Sequence, residues 1–307
     1  MNKQTAVNSI LTDETMRETA HHGSTDYPFC YYYENVWDFD FHCIDWHWHP
    51  EVEFVYVSTG RITCLIGSQR YILSAGQGIF INTQVIHRFE AEDEAIIPNI
   101  VFSPRLLASP DSRIYQKYLK PILDSSVACV IFSAETKQGI LAILLEIFAL
   151  QEAEECSEIA TVQLLLKLWQ QMYDCNDFSE RRNSPSAHKQ AQLQMMMQFI
   201  HKNYSQQITL ADIAKSVSVS KSSTLTLFKE YLHTTPVNYL IDYRLKQAAN
   251  LLITTDNHVG TIAQDTGFET TAYFCRQFKK LFQLTPGKYR QAGRKRTEPT
   301  HYPAESS

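Results

Sequence analysis

The sequence predicts an α+β protein of more than one domain: a β-rich N-terminal part, a pair of amphipathic helices, and an all-α C-terminal part. Three observations predict it. Short runs of β-branched and aromatic residues, each closed by a turn signal, fill residues 27–103. Apolar residues at helical spacing take over from residue 104. The charge also changes sign. Residues 1–187 carry 13 Lys and Arg against 25 Asp and Glu, whereas residues 188–307 carry 15 against 8. An acidic first part and a basic last part place any polyanionic partner at the C-terminal end. A chain of 307 residues is long enough to bury a separate core in each part.

Residues 1–26 are polar and lack sustained periodicity, and are expected to form a flexible arm. The runs Tyr31–Tyr33, Phe54–Val57, Ile62–Ile66 and Ile79–Ile81 are separated by Ser58-Thr59-Gly60, Gly67-Ser68 and Gly76-Gln77-Gly78. That spacing predicts seven or eight short strands closing a barrel or sandwich. Val127–Phe132 reads as one more strand. Within 104–175, Ile140, Leu141, Leu144, Leu145 and Phe148 share one helical face, as do Val162, Leu165, Leu166, Trp169 and Met172. These two helices either cover the barrel or pair with a second copy in a homodimer. Residues 176–187 break the pattern and read as a linker. A helical domain over 188–291 follows. The tail 292–307 is polar, with an Arg294-Lys295-Arg296 cluster, and is expected to be flexible.

Seven cysteines, at 30, 43, 64, 129, 156, 175 and 275, form no C-x-x-C pair. The odd count and the spacing argue against a disulfide framework and a cysteine-rich zinc module. No apolar run has the length of a signal peptide or a membrane span. The expectation is a cytoplasmic protein with no membrane partner.

Chemistry-bearing residues concentrate in His47-Trp48-His49-Pro50-Glu51-Val52-Glu53, with Gly60 beyond and His87 after a later strand. Residues of equal parity on a strand share a face, so His47, His49 and Glu53 are expected to project together. Two or three imidazoles and a carboxylate suit a divalent transition metal. The same residues also serve as the wall of a small-molecule pocket, with Trp46, Trp48, Tyr56 and His87 as further lining. This string resembles the first cupin motif, H-x-H-x3-E-x6-G, and His87 lies where the second motif places its histidine. Two positions depart from it: Phe41 stands where a glycine is usual and Thr83 near a usual proline. The resemblance implies the barrel. It leaves the occupant open between a small effector at His47, His49, Glu53, Tyr56 and His87, with no cofactor required, and a divalent metal at His47, His49, Glu53 and His87. No residue is assigned a catalytic role.

The C-terminal domain carries one plan twice. Thr209 caps a short helix with Asp212 three positions on, Ser218-Val219-Ser220 turn, and Ser220 caps the next helix. There Leu225 and Phe228 are expected inside, and Lys221, Ser222, Ser223, Thr226 and Lys229 outside. After a helical connector from Pro236, with Arg244 as a positive charge on it, the plan repeats. Val259, Ile262 and Ala263 pack a support helix, Gly267-Phe268 turn, and Thr270 or Thr271 caps a helix whose Phe274 and Phe278 face inward. Thr270, Thr271, Arg276 and Lys279 are left outside. This is a double helix-turn-helix, and its outward residues are the candidate contacts to double-stranded DNA. Lys229, Lys279 and Arg290 suit phosphates.

The second unit's I-A-x-D-T-G-F, Y-F-C-R-Q-F-K-K and T-P-x-x-Y-R resemble the AraC/XylS family of transcriptional regulators over roughly residues 190–291. The resemblance implies a sequence-specific regulator rather than an enzyme, controlled by an effector in the barrel, working as a homodimer and meeting RNA polymerase. The alternative is a metal-dependent cupin enzyme or metal sensor joined to a DNA-binding module. His233 and Gln283 stand where the family has helix-ending glycines, so both are expected to adopt a left-handed backbone. Thr226 stands where an arginine is common, so the second unit is expected to carry more of the direct base reading.

Overall fold

The computed structural model describes residues 9–13, 15–153, 157–179 and 185–297. The chain divides into two compact units, one spanning Ser9–Gln194 and the other built on Met195–Ser307.

Among the described residues, nine strands build the first unit: β1 Phe29–Asn35, β2 Cys43–His47, β3 Val52–Tyr56, β4 Arg61–Ile66, β5 Gln69–Ser74, β6 Gln77–Ile81, β7 His87–Ala91, β8 Ile96–Phe102 and β9 Cys129–Ser133. They do not close into the expected barrel. They form two antiparallel sheets, ordered β1-β8-β3-β6-β9 and β2-β7-β4-β5. This is the double-sheet jelly-roll arrangement. Between the sheets lies an apolar core including Val55, Ile62, Ile66, Leu73, Ile79, Phe89 and Ile97.

The other face of the five-stranded sheet needs a cover, because Val52, Phe54, Phe80, Phe102 and Phe132 project from it. After the short helix α1 (Lys120–Leu123), α2 (Gln138–Glu152) and α3 (Glu158–Asp174) provide it. Ile140, Leu144, Ile147, Phe148, Leu165, Leu168, Trp169 and Met172 pack onto those aromatics. The period-3.6 pattern and the period-2 pattern thus bury each other's apolar faces.

The N-terminal segment departs from the expected flexible arm. Its described part is folded onto the jelly roll, and Met16 and His22 are buried. Trp48 holds it: the Trp48 N–H donates to Met16 O at 3.0 Å, Glu18 N–H donates to Trp48 O at 2.9 Å, and the indole Nε1–H donates to Thr15 O at 2.9 Å. Gly23 then turns the segment into β1. It has φ +88°, and a Cβ there would lie 2.4 Å from Tyr27 O and 2.5 Å from Phe29 N, so only glycine fits. Sequence periodicity misses this segment because its attachment runs through backbone hydrogen bonds to one tryptophan.

Residues 1–8, 180–184 and 298–307, where parts of the arm, linker and tail were expected, lie outside the described residues. The linker ends before 187, since α4 (Pro185–Asn203) already starts at Pro185, a residue suited to a first helical turn. The tail likewise starts inside a helix, α10 (Pro286–Thr297). Among the described residues no helix is long and apolar enough to cross a membrane.

The second unit contains α5 (Leu210–Ser216), α6 (Lys221–Leu232), α7 (Pro236–Thr254), α8 (Val259–Asp265), α9 (Thr271–Phe282) and α10. The second half closes around Leu245, Ala248, Leu252, Ile262, Ala263, Phe268, Phe274 and Phe278, so α7 is built into its core rather than merely leading to it.

Candidate functional site

The histidine cluster sits where the two sheets meet. His47 ends β2 and is paired with His87, which starts β7 on the same sheet. Glu53 projects from β3 of the other sheet, and His49 lies in the connection between β2 and β3. A β-bulge makes this convergence. Ile44 pairs with Phe89 but His47 pairs with His87, so β2 spends one extra residue and His47 turns to the face that Ile44 already occupies. Parity alone places His47 and Ile44 on opposite faces.

All three motif histidines are buried. Their Nε2 or Nδ1 ligand atoms fall within 4.8 Å of one another. Each Nδ1 is held by a backbone carbonyl: His47 by Asp45 O at 2.8 Å, His87 by Val85 O at 2.8 Å, His49 by Glu51 O at 3.3 Å. A carbonyl can only accept, so Nδ1 carries the proton and Nε2 keeps its lone pair. Glu53 Oε2 lies 3.2 Å from His87 Nε2 and 3.6 Å from His49 Nε2. Yet His49 Nε2, His87 Nε2 and Glu53 Oε2 are buried without a hydrogen-bond partner. Buried polar atoms in that state are costly unless something binds them.

Electrostatics point the same way. Burial raises the Glu53 carboxyl, but the His49 and His87 imidazoles outweigh it and hold the group well below the usual carboxylate range. His47 is pushed down by burial, then by His87 and His49, so it is neutral at neutral pH. Three imidazoles and one carboxylate are a donor set that fits a divalent transition metal. Phe41, which stands where the motif has a glycine, adopts φ +61°, in the left-handed region that favours glycine. Thr83 uses its hydroxyl to donate to Pro50 O at 2.7 Å, bracing the turn beside the histidines.

Two expected lining residues are elsewhere. Tyr56 shares its parity with Val52 and Phe54, and packs with them under the helices, opposite Glu53. Trp48 is taken up by the N-terminal segment, with Arg17 5.9 Å from its ring centroid. In exchange, that segment brings two residues that sequence reasoning missed. Glu18 Oε2 is 3.3 Å from His22 Nε2 and 3.9 Å from His47 Nε2.

In the second unit both helix-turn-helix plans are present. Thr209 and Asp212 form a reciprocal capping box, with Thr209 N–H donating to Asp212 Oδ2 at 2.8 Å. Ser220 Oγ accepts from Ser223 N–H at 3.0 Å at the start of α6. Thr270, not Thr271, caps α9, accepting from Tyr273 N–H at 3.2 Å. In α6 the buried side chains are Thr224, Leu227, Phe228, Tyr231 and Leu232, and Leu225 is only half-buried. Lys221, Ser222, Ser223, Thr226 and Lys229 on α6 are exposed, as are Thr270, Thr271, Arg276 and Lys279 at α9. Arg276 lies 5.5 Å from the Tyr273 ring centroid, a contact that orders it on the helix surface.

Arg290 is not with the outward set. Its guanidinium is turned inward, Nε donating to Leu252 O at 3.0 Å and an Nη to Asn257 O at 2.5 Å, which fastens α10 to the end of α7. Arg244, on α7 of the same unit, is likewise turned inward and is buried. It donates from Nε to Tyr204 O at 2.7 Å and from Nη2 to Gln206 O at 2.6 Å.

His233 (φ 52°) and Gln283 (φ 56°) do end α6 and α9 in the left-handed conformation. His233→Gly and Gln283→Gly are each expected to stabilise the protein by about 0.5–1 kcal/mol. Urea denaturation showing no gain in either variant would count against a strained helix end.

Comparison with known proteins finds a domain model over each part of the chain. A helix-turn-helix domain model matches residues 213–292, and a cupin domain model matches residues 43–98. The chain is 27% identical over 289 residues to the uncharacterized HTH-type transcriptional regulator YdeC of Bacillus subtilis (strain 168), covering 92% of this chain and 98% of that one. It is 35% identical over 98 residues to the lactose operon transcription activator of Staphylococcus xylosus, covering 32% of this chain and 35% of that protein. Among solved structures, an AraC-type transcriptional regulator from Chromobacterium violaceum is 30% identical, covering 37% of this chain and 98% of that chain, with a TM-score of 0.34. A cupin domain ahead of a double helix-turn-helix, matched along nearly its whole length by a transcriptional regulator, makes this chain a DNA-binding transcriptional regulator of the AraC family.

Proposed function

We propose that this regulator reads DNA chiefly through α9, and that its affinity is set by a divalent transition-metal ion held at His47, His49, His87 and Glu53. The observation that carries the regulatory half is the set of inward Nε2 atoms, each with its Nδ1 tied to a backbone carbonyl. Such an ion would supply a fixed charge joining the two sheets. Metal-dependent population shift between arrangements with different DNA affinity would then link occupancy to transcription. A small polar effector in the jelly roll is the second reading, favoured by Tyr32 and by buried Asn99 with half-buried Glu34, whose Nδ2–Oε2 distance is 2.9 Å. Burial, with Glu53 and Glu18 nearby, raises the Glu34 carboxyl to about 7.

The test is elemental analysis of native protein, then gel-shift affinity and sedimentation with and without chelator. Metal-dependent affinity supports the ion. Metal-free protein with full, chelator-insensitive affinity removes it and leaves the small effector. Sedimentation also tests the homodimer, for which Leu145, Ile159 and Leu166, exposed on α2 and α3, offer apolar surface. A monomer at every concentration would exclude it. The cluster is read as regulatory rather than catalytic because the relatives are transcriptional regulators. RNA polymerase would be the downstream partner of such a regulator acting as an activator.

For DNA reading, Arg276 is the exposed side chain on either recognition helix that can pair bidentately with guanine. Arg276→Ala is expected to lower operator affinity by about 1–3 kcal/mol and relax specificity at one base pair. Thr226→Ala should do less. The reverse ranking in a binding-site selection would refute the assignment. Lys221, Ser222, Ser223, Lys229, Thr270, Thr271 and Lys279 would position the helices on phosphates and sugars.

A further inference from the structure

Four histidines, not three, share one arrangement. His22 is 7% exposed, and its Nδ1 is engaged by Tyr32 Oη at 2.9 Å, as the other Nδ1 atoms are engaged by carbonyls. Its Nε2 is buried without a hydrogen-bond partner. The His22 ring centroid is 5.4 Å from that of His49. Glu18 stands between His22 and His47, its Oε2 3.3 Å from one Nε2 and 3.9 Å from the other, with its side chain 8% exposed. Donors bound at about 2.0–2.2 Å to one ion lie about 3–4 Å apart. The spacings from Glu18 match that, as do those of Glu53 to His49 and His87 at 3.6 and 3.2 Å.

We propose that Glu18 and His22 are metal ligands, so that the ion is held by the N-terminal segment as well as by the jelly roll. The inference rests on reading the cluster as a metal centre, and adds to the cupin donor set two residues from outside both cupin motifs. The segment is also held by Trp48's three hydrogen bonds, the Arg17 contact and the buried Met16 side chain. Metal occupancy therefore governs how firmly residues 15–22 are docked.

The experiment uses the full chain and Co²⁺ as the probe. Wild type, Glu18→Gln, His22→Gln and His87→Ala are titrated, reading affinity by chelator competition and ligand field from the visible absorption. Trypsin cleavage after the exposed Arg17 is followed with and without Co²⁺. Glu18→Gln and His22→Gln are expected to weaken Co²⁺ by about tenfold or more, to shift the absorption bands, and to abolish the protection of Arg17 that metal confers on wild type. Both variants keep size and polarity, and thermal melting confirms that they fold. Wild-type affinity and spectrum in both, with His87→Ala losing the metal, would overturn this inference and leave the metal centre standing. No Co²⁺ binding by wild type would overturn both.

Discussion

Gly267→Ala is expected to destabilise the C-terminal unit by about 2–4 kcal/mol and to abolish operator binding. Gly267 sits at φ +85°, a conformation L side chains rarely adopt. A Cβ there would lie 2.6 Å from Tyr204 O and 2.9 Å from the Arg244 guanidinium. Those atoms are the clamp itself. Arg244 ties Tyr204 O and Gln206 O, stacks at 5.9 Å on Phe268, and Gln207 Nε2 donates to Gly267 O at 3.1 Å. One side chain from α7 thereby locks the end of the α4 helix against the turn of the second helix-turn-helix. Displacing it moves one recognition helix relative to the other, and a bipartite site one helical turn of DNA apart tolerates no such shift.

Arg244→Ala should cost a comparable amount, because two carbonyls lose charge-assisted donors. Arg244→Lys should not restore it, since an ammonium lacks the planar fork. The two positions should also be non-additive in a double variant. Calorimetry of Gly267→Ala within about 0.5 kcal/mol of wild type would show that the turn is not constrained in this way.

His87→Ala is expected to lower divalent-metal affinity on the order of a hundredfold or more, and to make DNA binding insensitive to chelator. His87 is fully buried, is paired across the sheet with His47 and is 3.2 Å from Glu53, so no neighbouring side chain can replace it. Affinity should also fall in acid, because protonated imidazole cannot bind metal. The downward push on His47 helps here, keeping it unprotonated to lower pH than a free histidine. A titration in which His87→Ala binds as tightly as wild type would remove the histidines from the site.

Several features follow from short-range rules and were legible in the chain. The capping boxes, the helix-ending left-handed positions, the strand runs and the H-x-H-x3-E spacing each depend on residues within a few positions of one another. The caps at Thr209 and Ser220 and the left-handed His233 and Gln283 stand as the sequence predicts. So does the strand β9, read from Val127–Phe132. Tyr56 was legible too, since its even parity already set it apart from Glu53.

Other features depend on packing between distant residues, where sequence carries no local signal. A charge count cannot separate Arg276, exposed on α9, from Arg290 and Arg244, which the fold turns inward to carbonyls at helix ends. A polar stretch before the first strand reads as loose, until Trp48 offers it a backbone edge and a buried carboxylate and imidazole join the histidines. The kind of protein was therefore written in its motifs, because caps, turns and ligand spacings are local. The membership of the buried cluster and the rigidity of the DNA-reading pair were settled only in three dimensions, because a buried donor set and an arginine clamp exist only once remote segments have been packed together.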